Sequence, residues 1–513
     1  MKNVQKKNKK KRKIRKISLY TYLIYAIATM ILFFVIKATG IFPNKYLFVV
    51  FFLFLIGIIV FGISAFIPQI KSKIKIAQSL ICIVLSFLTI VSCVLLPHYS
   101  GKIARAFTRI PAEGTMNINV YVLQSSAYDN IGDLQGKNVG LQKKVDLDYQ
   151  NYAIKVINKE LNGQNIDVVQ YEDIYELTDK LYNGEVQAIL LNEDYAKILA
   201  ENPNYKDFDT KTKVLYVCPQ KIYLTSATNA VNAITSQPFL IAVSGNDEWD
   251  YSSIKANGHS RTDVNMLVAV NPVSKQILVL TIPRDSYVYL EGKGYDKLTH
   301  ASLYGMNVWT QALKNIFNLD EINYYFRVNF QSVVSIVDAM GGIDVDNPYR
   351  FESDYCLYWD DNQNKVVQYN AVYDEGMIHL NGSQSLGYVR ERYSLPDGDI
   401  GRNKHQAIFL KACINKLCSV QTITNISKLL DSLEGTFITD LDYNKEIIPL
   451  AQMQLNDMAN WDIKTYSLNG YGDEKICYSL DDELYSVEML NDDSIAVAKE
   501  YIRQVLIGES WNN

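Results

Sequence analysis

The sequence predicts an α/β protein held by three N-terminal transmembrane helices, with an α/β accessory domain followed by an α/β/α domain around a mixed central sheet. Three observations carry this. Apolar runs at about Ile17–Ala38, Tyr46–Phe66 and Ile76–Leu96 each approach the ~20 residues that a helix needs to cross a bilayer. Past residue 97, strand-like and helix-like pieces alternate, the pattern of sheets covered by helices. The chain of 513 residues has room for roughly three modules. The expected division is a basic arm at 1–16, the spans at 17–97, the accessory domain at 98–225 and the second domain at 226–513.

The net charge of -4 conceals an asymmetry, because the first sixteen residues, MKNVQKKNKKKRKIRK, are strongly basic. A signal peptide would explain the first apolar run alone, but no small-residue cleavage site stands out and two further runs follow. Lys71, Lys73 and Lys75 lie between the second and third runs. By the positive-inside tendency the N-terminus and that link face the cytoplasm, and an odd number of spans places the remainder outside the cell. A lysine run beside a first span is a topology signal and a contact for anionic membrane lipid, and no nucleic-acid partner is expected. Cys82 and Cys93 fall in the third span, leaving Cys218, Cys356, Cys413, Cys418 and Cys477 outside. That odd number without CxxC spacing supports neither a disulfide framework nor a zinc site.

In the accessory domain, MNINVYVLQ, GKNVGLQ and IDVVQYE read as strands, with a helix at Asp148–Leu161, another through YELTDKLYNGEV, and AILLNEDYAKILAE completing the alternation. DLQGKNVGLQ and LYNGEVQAILLNE resemble a lobe of the type 2 periplasmic solute-binding fold, which implies either a sensor of a ligand or partner, or a spacer. In the second domain FLIAVSG and the pair within NMLVAVNPVSKQILVLTIPRD read as buried strands, the pair joined by the turn-prone NPVSK. Helices are expected over Leu303–Phe317, Phe330–Met340, Gly382–Gly387, Asn403–Leu417, Ile426–Leu433, Tyr443–Leu455 and Ser494–Ile507.

The stretch Arg390–Gln406, RERYSLPDGDIGRNKHQ, crowds three arginines and three acidic residues around a turn. Arg390 and Arg392 share a face if the backbone is extended there. Arg402 and Gln406 share one on a helix. Guanidinium groups so arranged suit a phosphate or diphosphate, although surface ion pairing among Arg390, Glu391, Arg392 and Asp399 is the plainer alternative. Further polar groups adjoin the strands: Asp247 in SGND, Arg261 and Asp263 in HSRTD, Arg284 and Asp285 in IPRD. Each alone reads equally well as a structural pair or turn cap.

The ordered set SGND, SRTDVNML, IPRD, KLTHA, YYFRVNF, VDAMGGIDV, LNGSQSLGYVRERY and GDIGRNKHQ resembles the LytR-CpsA-Psr family over about residues 238–420. The resemblance implies a membrane-anchored phosphotransferase outside the cytoplasmic membrane of a Gram-positive bacterium. Such an enzyme moves a glycopolymer from a polyprenyl-pyrophosphate carrier to peptidoglycan through a phosphodiester. Three spans before an accessory domain resemble its capsule-type branch; the motifs specify neither the polymer, teichoic acid or capsule, nor the acceptor hydroxyl.

Carried over residue by residue, the resemblance implies that Arg261, Arg284, Arg390, Arg392 and Arg402 hold the pyrophosphate. Asp247 and Asp263 position Mg2+, with Mn2+ as a substitute. Gln406, Lys297 and Arg327 match positions near the substrate. Arg261, Arg284 and Asp399 are the catalytic candidates, with Asp399 favoured as a helix cap or a partner orienting Arg402 over a general base. His300 in KLTHA is expected to orient other groups. GDIGR replaces a more basic GDRQR-like run and Thr262 stands where Ser is usual, neither of which argues for an inactive enzyme. The helices Leu303–Phe317 and Phe330–Met340 and the strand LVAV are apolar enough to line a tunnel for the lipid tail, or simply to form core. Two rival readings use the same residues: a membrane-bound transcriptional attenuator, and a pyrophosphatase that transfers to water.

Overall fold

The computed structural model describes residues 2–40, 42–106, 113–143, 146–199, 202–223, 228–246, 260–360, 365–417, 437–480 and 482–511. Two compact units emerge: Met1–Phe107 with Asp442–Asn460, and Thr108–Leu441 with Trp461–Asn513.

The first unit holds α1 (Lys2–Thr39), α2 (Asn44–Phe66) and α3 (Ser72–Ala106). Within them Asn8–Ala38, Asn44–Phe66 and Ser72–His98 are long and apolar enough to cross a membrane. Their large side chains point outward, as Phe52, Leu53 and Phe87 do, which is the arrangement that lipid tolerates and water does not. Polar side chains turn inward instead: Ser18 and Gln78 are buried and hydrogen-bonded to each other. Gly57 lets α1 and α2 approach closely, since a Cβ there would lie 2.6 Å from the Tyr25 hydroxyl.

The second unit begins with strands β1 (Glu113–Leu123), β2 (Asn138–Gln142), β3 (Asp167–Tyr171), β4 (Ala188–Asn192) and β5 (Thr212–Tyr223). They form one sheet in the order β3-β2-β4-β1-β5, in which β2 is parallel to β3 and β4 while β1 is antiparallel to β4 and β5. Helix α4 (Leu147–Glu160) buries Ala153 and Ile157 against Ile118, Val120 and Leu141 on one face of this sheet. Helices α5 (Ile174–Tyr182) and α6 (Glu193–Leu199) contribute Leu177, Leu181 and Ile198 to a separate core. That core also takes in Leu303, Cys477, Leu480 and Val487 from the domain that follows, so the accessory and following domains share buried apolar surface.

The central sheet of that domain runs β16-β11-β6-β7-β8-β17, from β6 (Phe239–Gly245), β7 (Val264–Asn271), β8 (Gln276–Ile282), β11 (Tyr324–Val328), β16 (Phe437–Thr439) and β17 (Asp462–Ser467). It is mixed: β6 pairs parallel with β11 and β8 with β17, whereas β7 runs antiparallel to both β6 and β8. The near-continuous apolar runs of β6 to β8 are buried on both faces, as expected for strands between helical layers. Helices α7 (Met306–Phe317) and α12 (Asp492–Ile507) cover one face with Trp309, Leu313, Ile502 and Val505. Helix α10 (Asp399–Leu417) packs across β8 and β17.

The remaining strands form hairpins: β9 (Tyr287–Leu290) with β10 (Gly294–Lys297), β12 (Ile343–Asn347) with β15 (Gly376–Leu380), β13 (Phe351–Asp360) with β14 (Lys365–Tyr373), and β18 (Gly470–Lys475) with β19 (Tyr485–Leu490). Helices α8 (Phe330–Ala339) and α9 (Gly382–Arg390) complete the domain, while α11 (Ile448–Asp457) belongs to the unit of the three apolar helices.

The expected helix at Ile426–Leu433 lies outside the described residues. One local expectation is corrected. Arg390 is not in an extended run but is the last residue of α9, and the backbone turns extended at Glu391, with ψ 136°. The cause is a capping box, in which the Asn381 side chain accepts from the Gln384 backbone and the Gln384 side chain from that of Asn381, starting a helix that runs on to Arg390.

Candidate functional site

Gly245, Val264, Ile282 and Val328 lie at one edge of the central sheet, fixed in a row by the pairings Val328 with Gly245, Gly245 with Val264, and Asn265 with Ile282. Three of these residues end their strands, and the carboxyl ends of strands are where α/β sheets gather ligands. A cavity of about 210 Å³ opens there, lined by Asn246, Asp263, Arg284, Arg390, Arg392, Arg402 and Gln406 on its polar side and by Val264, Val328, Phe330, Val333 and Val389 on its apolar side.

Each arginine arrives by a different local device. Arg284 follows β8 at the turn opened by Pro283, and its Nη1 donates to Asp263 Oδ1. Arg390 is set by the close packing of α9: a Cβ on Gly387 would lie 2.5 Å from Cys356 Sγ, and one on Gly382 2.2 Å from the Val334 carbonyl. That packing brings the Arg390 guanidinium 4.3 Å from the Phe330 ring and 4.8 Å from the Tyr355 ring, a cation–π sandwich. Arg392 lies 4.5 Å over Tyr393. Arg402 and Gln406 are one turn apart on α10, as expected, and the Gln406 amide donates to the Val389 carbonyl at 3.3 Å.

Asp399, in the first turn of α10, lies 3.2 Å from Arg402 Nη2 and 3.6 Å from Arg392 Nη1. It therefore joins two of the cavity's arginines. Burial lowers the Arg402 pKa, with Asp399 opposing the fall.

The charged lining comprises four arginines and one described carboxylate, an excess that suits a ligand with several negative charges. Burial of Asp263 works against its ionisation, yet the guanidiniums of Arg284 and Arg261 outweigh it and hold the carboxyl below its ordinary value. Among the described residues, Asp263 Oδ2 and Asn246 Oδ1 are both buried without a hydrogen-bond partner. Two orphaned hard oxygens at the edge of an anion pocket fit a divalent cation that completes its shell with phosphate oxygens and water. Asp247, the other expected metal ligand, lies outside the described residues. Among the described residues no group of three or more His, Cys, Asp or Glu side chains is arranged to hold a metal ion.

The remaining expected residues stand behind the cavity rather than on its wall. Arg261 is half-buried beside Asp263. Arg327 is 1% exposed, and its Nη2 donates to the Ser260 carbonyl at 3.0 Å and to the Ser260 hydroxyl. Far from a pocket rim, it pins the segment that leads into Arg261 and Asp263. Lys297 is buried at the end of β10, 3.8 Å from Asp285. His300 is fully buried, its Nδ1 2.9 Å from Asp296 and 2.8 Å from the Ser479 hydroxyl. The backbone of the KLTHA segment is the stitch: Thr262 N donates to Thr299 O at 3.1 Å, and Thr299 N to Arg284 O at 2.8 Å.

Sequence reasoning passed over Asn246, Phe330, Tyr355 and Tyr393. Asn246, Phe330 and Tyr393 sit inside motifs noted, so their proximity was available; Tyr355 gave no signal. Of the helices expected to border a lipid tunnel, α8 contributes Phe330 and Val333 to the cavity, whereas α7 supplies Trp309, Leu313 and Phe317 to the core.

The LytR_cpsA_psr family model matches residues 207–493, more than half of the chain. A polyisoprenyl-teichoic acid–peptidoglycan teichoic acid transferase, TagU, of Oceanobacillus iheyensis is 32% identical over 222 residues, covering 42% of this chain and 63% of the relative, a little under two thirds. The TagU of Enterococcus faecalis is 30% identical over 221 residues, 43% of this chain and 67% of the relative. Among solved structures, B. subtilis TagV is 24% identical with a TM-score of 0.42, over 53% of this chain and 98% of that one.

Proposed function

The chain belongs to the LytR_cpsA_psr family, and from that premise we propose that it transfers a glycopolymer from a polyprenyl-pyrophosphate carrier to peptidoglycan, leaving a phosphodiester. The observation that carries the reading is the convergence of Arg284, Arg390, Arg392 and Arg402 with Asp263 on one cavity that has an apolar wall. A lipid diphosphate has the same two-sided chemistry. The named activity of the relatives is of the same class, transfer of a polyisoprenyl-linked polymer to peptidoglycan.

In this reading the arginines bind the diphosphate oxygens in bidentate fashion. Val264, Val328, Phe330, Val333 and Val389 receive the start of the lipid. An acceptor hydroxyl attacks the polymer-proximal phosphorus, the bond to the bridging oxygen breaks, polyprenyl phosphate leaves and the hydroxyl proton is released. Charge builds on the leaving phosphate, where preorganised guanidiniums lower the barrier without reorganising. Asp263 holds Arg284 in place through Oδ1. With Oδ2, Asn246 Oδ1 and Asp247 it would hold Mg2+, or Mn2+ in its place, and that cation when bound supplies further neutralisation of the phosphates.

The basic N-terminal arm favours a cytoplasmic N-terminus and an outer catalytic domain, beside a carrier lipid held in the same membrane. The polymer is teichoic acid, as named for the relatives, or a capsular glycan. The test is full-length protein in lipid nanodiscs with a polyprenyl-pyrophosphoryl glycan and peptidoglycan fragments. Phosphodiester product and polyprenyl phosphate are expected with Mg2+ present. Release of the glycan phosphate to water despite added acceptor would instead establish the hydrolytic reading.

A further inference from the structure

The catalytic sheet contains an excursion that its chemistry does not use. After β16 the chain departs at Asp442 and returns at Trp461 to enter β17, and the intervening Asp442–Asn460 folds with the three apolar helices. Its contacts concentrate where α1 ends and α2 begins. The Tyr46 hydroxyl donates to the Leu455 carbonyl at 2.9 Å, Lys45 Nζ donates to the Asn456 carbonyl, and the Gln452 amide donates to the Gly40 carbonyl. The Ile448 Cδ1 sits 3.5 Å from where a Cβ on Gly40 would stand. Gly40 lies two residues beyond one apolar span, and Lys45 and Tyr46 lie in the first turn of the next.

A helix tied to those residues lies at the boundary of whatever bilayer the spans cross. Its composition fits that place. From Ile447 to Asn456 the sequence IIPLAQMQLN has no charged residue, and no residue of Ile448–Asp457 is buried. Ile448, Leu450, Met453 and Leu455 are each half-buried, and apolar surface left partly uncovered along a whole helix is an aggregation hazard in water. Leu450 and Met453 project to the side of the helix away from Ile448 and Leu455, at the angles that a 3.6-residue period gives them. We propose that Asp442–Asn460 is a membrane-interface element, seated on the α1–α2 turn and covered by phospholipid at the headgroup and acyl boundary. Since it carries no cationic face, the partner is the apolar interfacial layer of lipid rather than anionic headgroups.

The inference rests on the reading of α1 to α3 as membrane spans, and the experiment separates the two. A benzophenone amino acid is placed singly at Leu450, Met453, Ile59 of α2 and Val273 of the β7–β8 turn in the full chain, reconstituted into phosphatidylcholine vesicles with or without phosphatidylglycerol and irradiated. Lipid adducts at positions 450 and 453 several-fold above position 273, equal in the two vesicle types, are expected. Adducts at 59 with none above the level of 273 at both 450 and 453 overturn the interfacial element and leave the spans intact. No adducts at 59 either would overturn the spans, and the element with them. Adducts at 450 and 453 only with phosphatidylglycerol would overturn the apolar mode of contact.

Discussion

Arg284 and Asp263 are the pair on which the pocket turns. Arg284 is held at the cavity by donating from Nη1 to Asp263 Oδ1, and Asp263 keeps its charge against burial because of Arg284 and Arg261. Arg284→Ala should lower kcat by about 100-fold or more, the usual cost of removing one preorganised donor to a developing charge. Steady-state transfer kinetics at saturating donor would measure it, and a loss confined to KM would show ground-state binding alone. Asp263→Asn keeps the shape of the carboxyl while removing its charge. It should weaken activation by Mg2+ by roughly 10- to 100-fold, the scale on which metal sites respond to damaged support, read as a shift in the metal concentration for half-maximal transfer. An unchanged Mg2+ requirement in this variant would remove Asp263 from the metal site. Residues of this type were legible because strand-end Arg and Asp recur in ordered motifs. Arg327 was not, because nothing in YYFRVNF distinguishes an arginine that lines a pocket from one buried behind it.

At the scale of elements, helix α10 carries Arg402 and Gln406 toward the cavity and His405 away from it. His405 is fully buried, stacked at 4.4 Å on Tyr388 and 4.8 Å from Phe351. Burial lowers its pKa to about 4, against 6.5 ordinarily, with Lys404 adding to the fall and Glu391 opposing it. A depressed histidine pKa means that the unfolded chain binds the proton more readily. Stability from this group is therefore complete above about pH 6.5 and is lost as pH falls from there toward 4. His405→Phe should flatten the fall in Tm between pH 7 and pH 5 relative to the parent chain, measured by thermal unfolding in detergent. Equal slopes would show that His405 is not the titrating group. The helix itself was readable from its period, as were α7, α8 and α12 to within a few residues. The end of α9 was less so, since an Arg-Glu-Arg run has no preference for strand over helix end, and the capping box begun nine residues upstream at Asn381 decides it.

At the scale of the whole second unit, the accessory sheet and the catalytic sheet have separate hydrogen-bond networks but share one apolar core. Tyr175 on α5 stacks with Tyr485 of β19 at 6.3 Å and an interplanar angle of 16°. Leu303, Cys477, Leu480 and Val487 from the catalytic side are buried in the same cluster as Leu177 and Leu181. Two sheets could be read in the sequence from their separate strand patterns. The shared core could not, because its catalytic-side members are scattered between residues 303 and 487, each looking like ordinary interior. Surface of this kind couples the unfolding of its two sides, since separating them exposes apolar area at ~25 cal/mol per Å². The accessory domain and catalytic domain should therefore melt together in one calorimetric transition. Tyr485 is half-buried against this cluster, so Tyr485→Ala should remove packing worth about 1–3 kcal/mol, below the ~3–5 kcal/mol of aromatic truncation in full cores, and split that transition in two, the accessory domain melting first. The cavity lies outside this cluster, so transfer by Tyr485→Ala at a temperature below both transitions should remain within about twofold of the parent. A single undivided transition in the variant would mean that the two domains are joined by more than this core. A large loss of transfer with both transitions intact would mean that the accessory domain reports to the pocket through Tyr485.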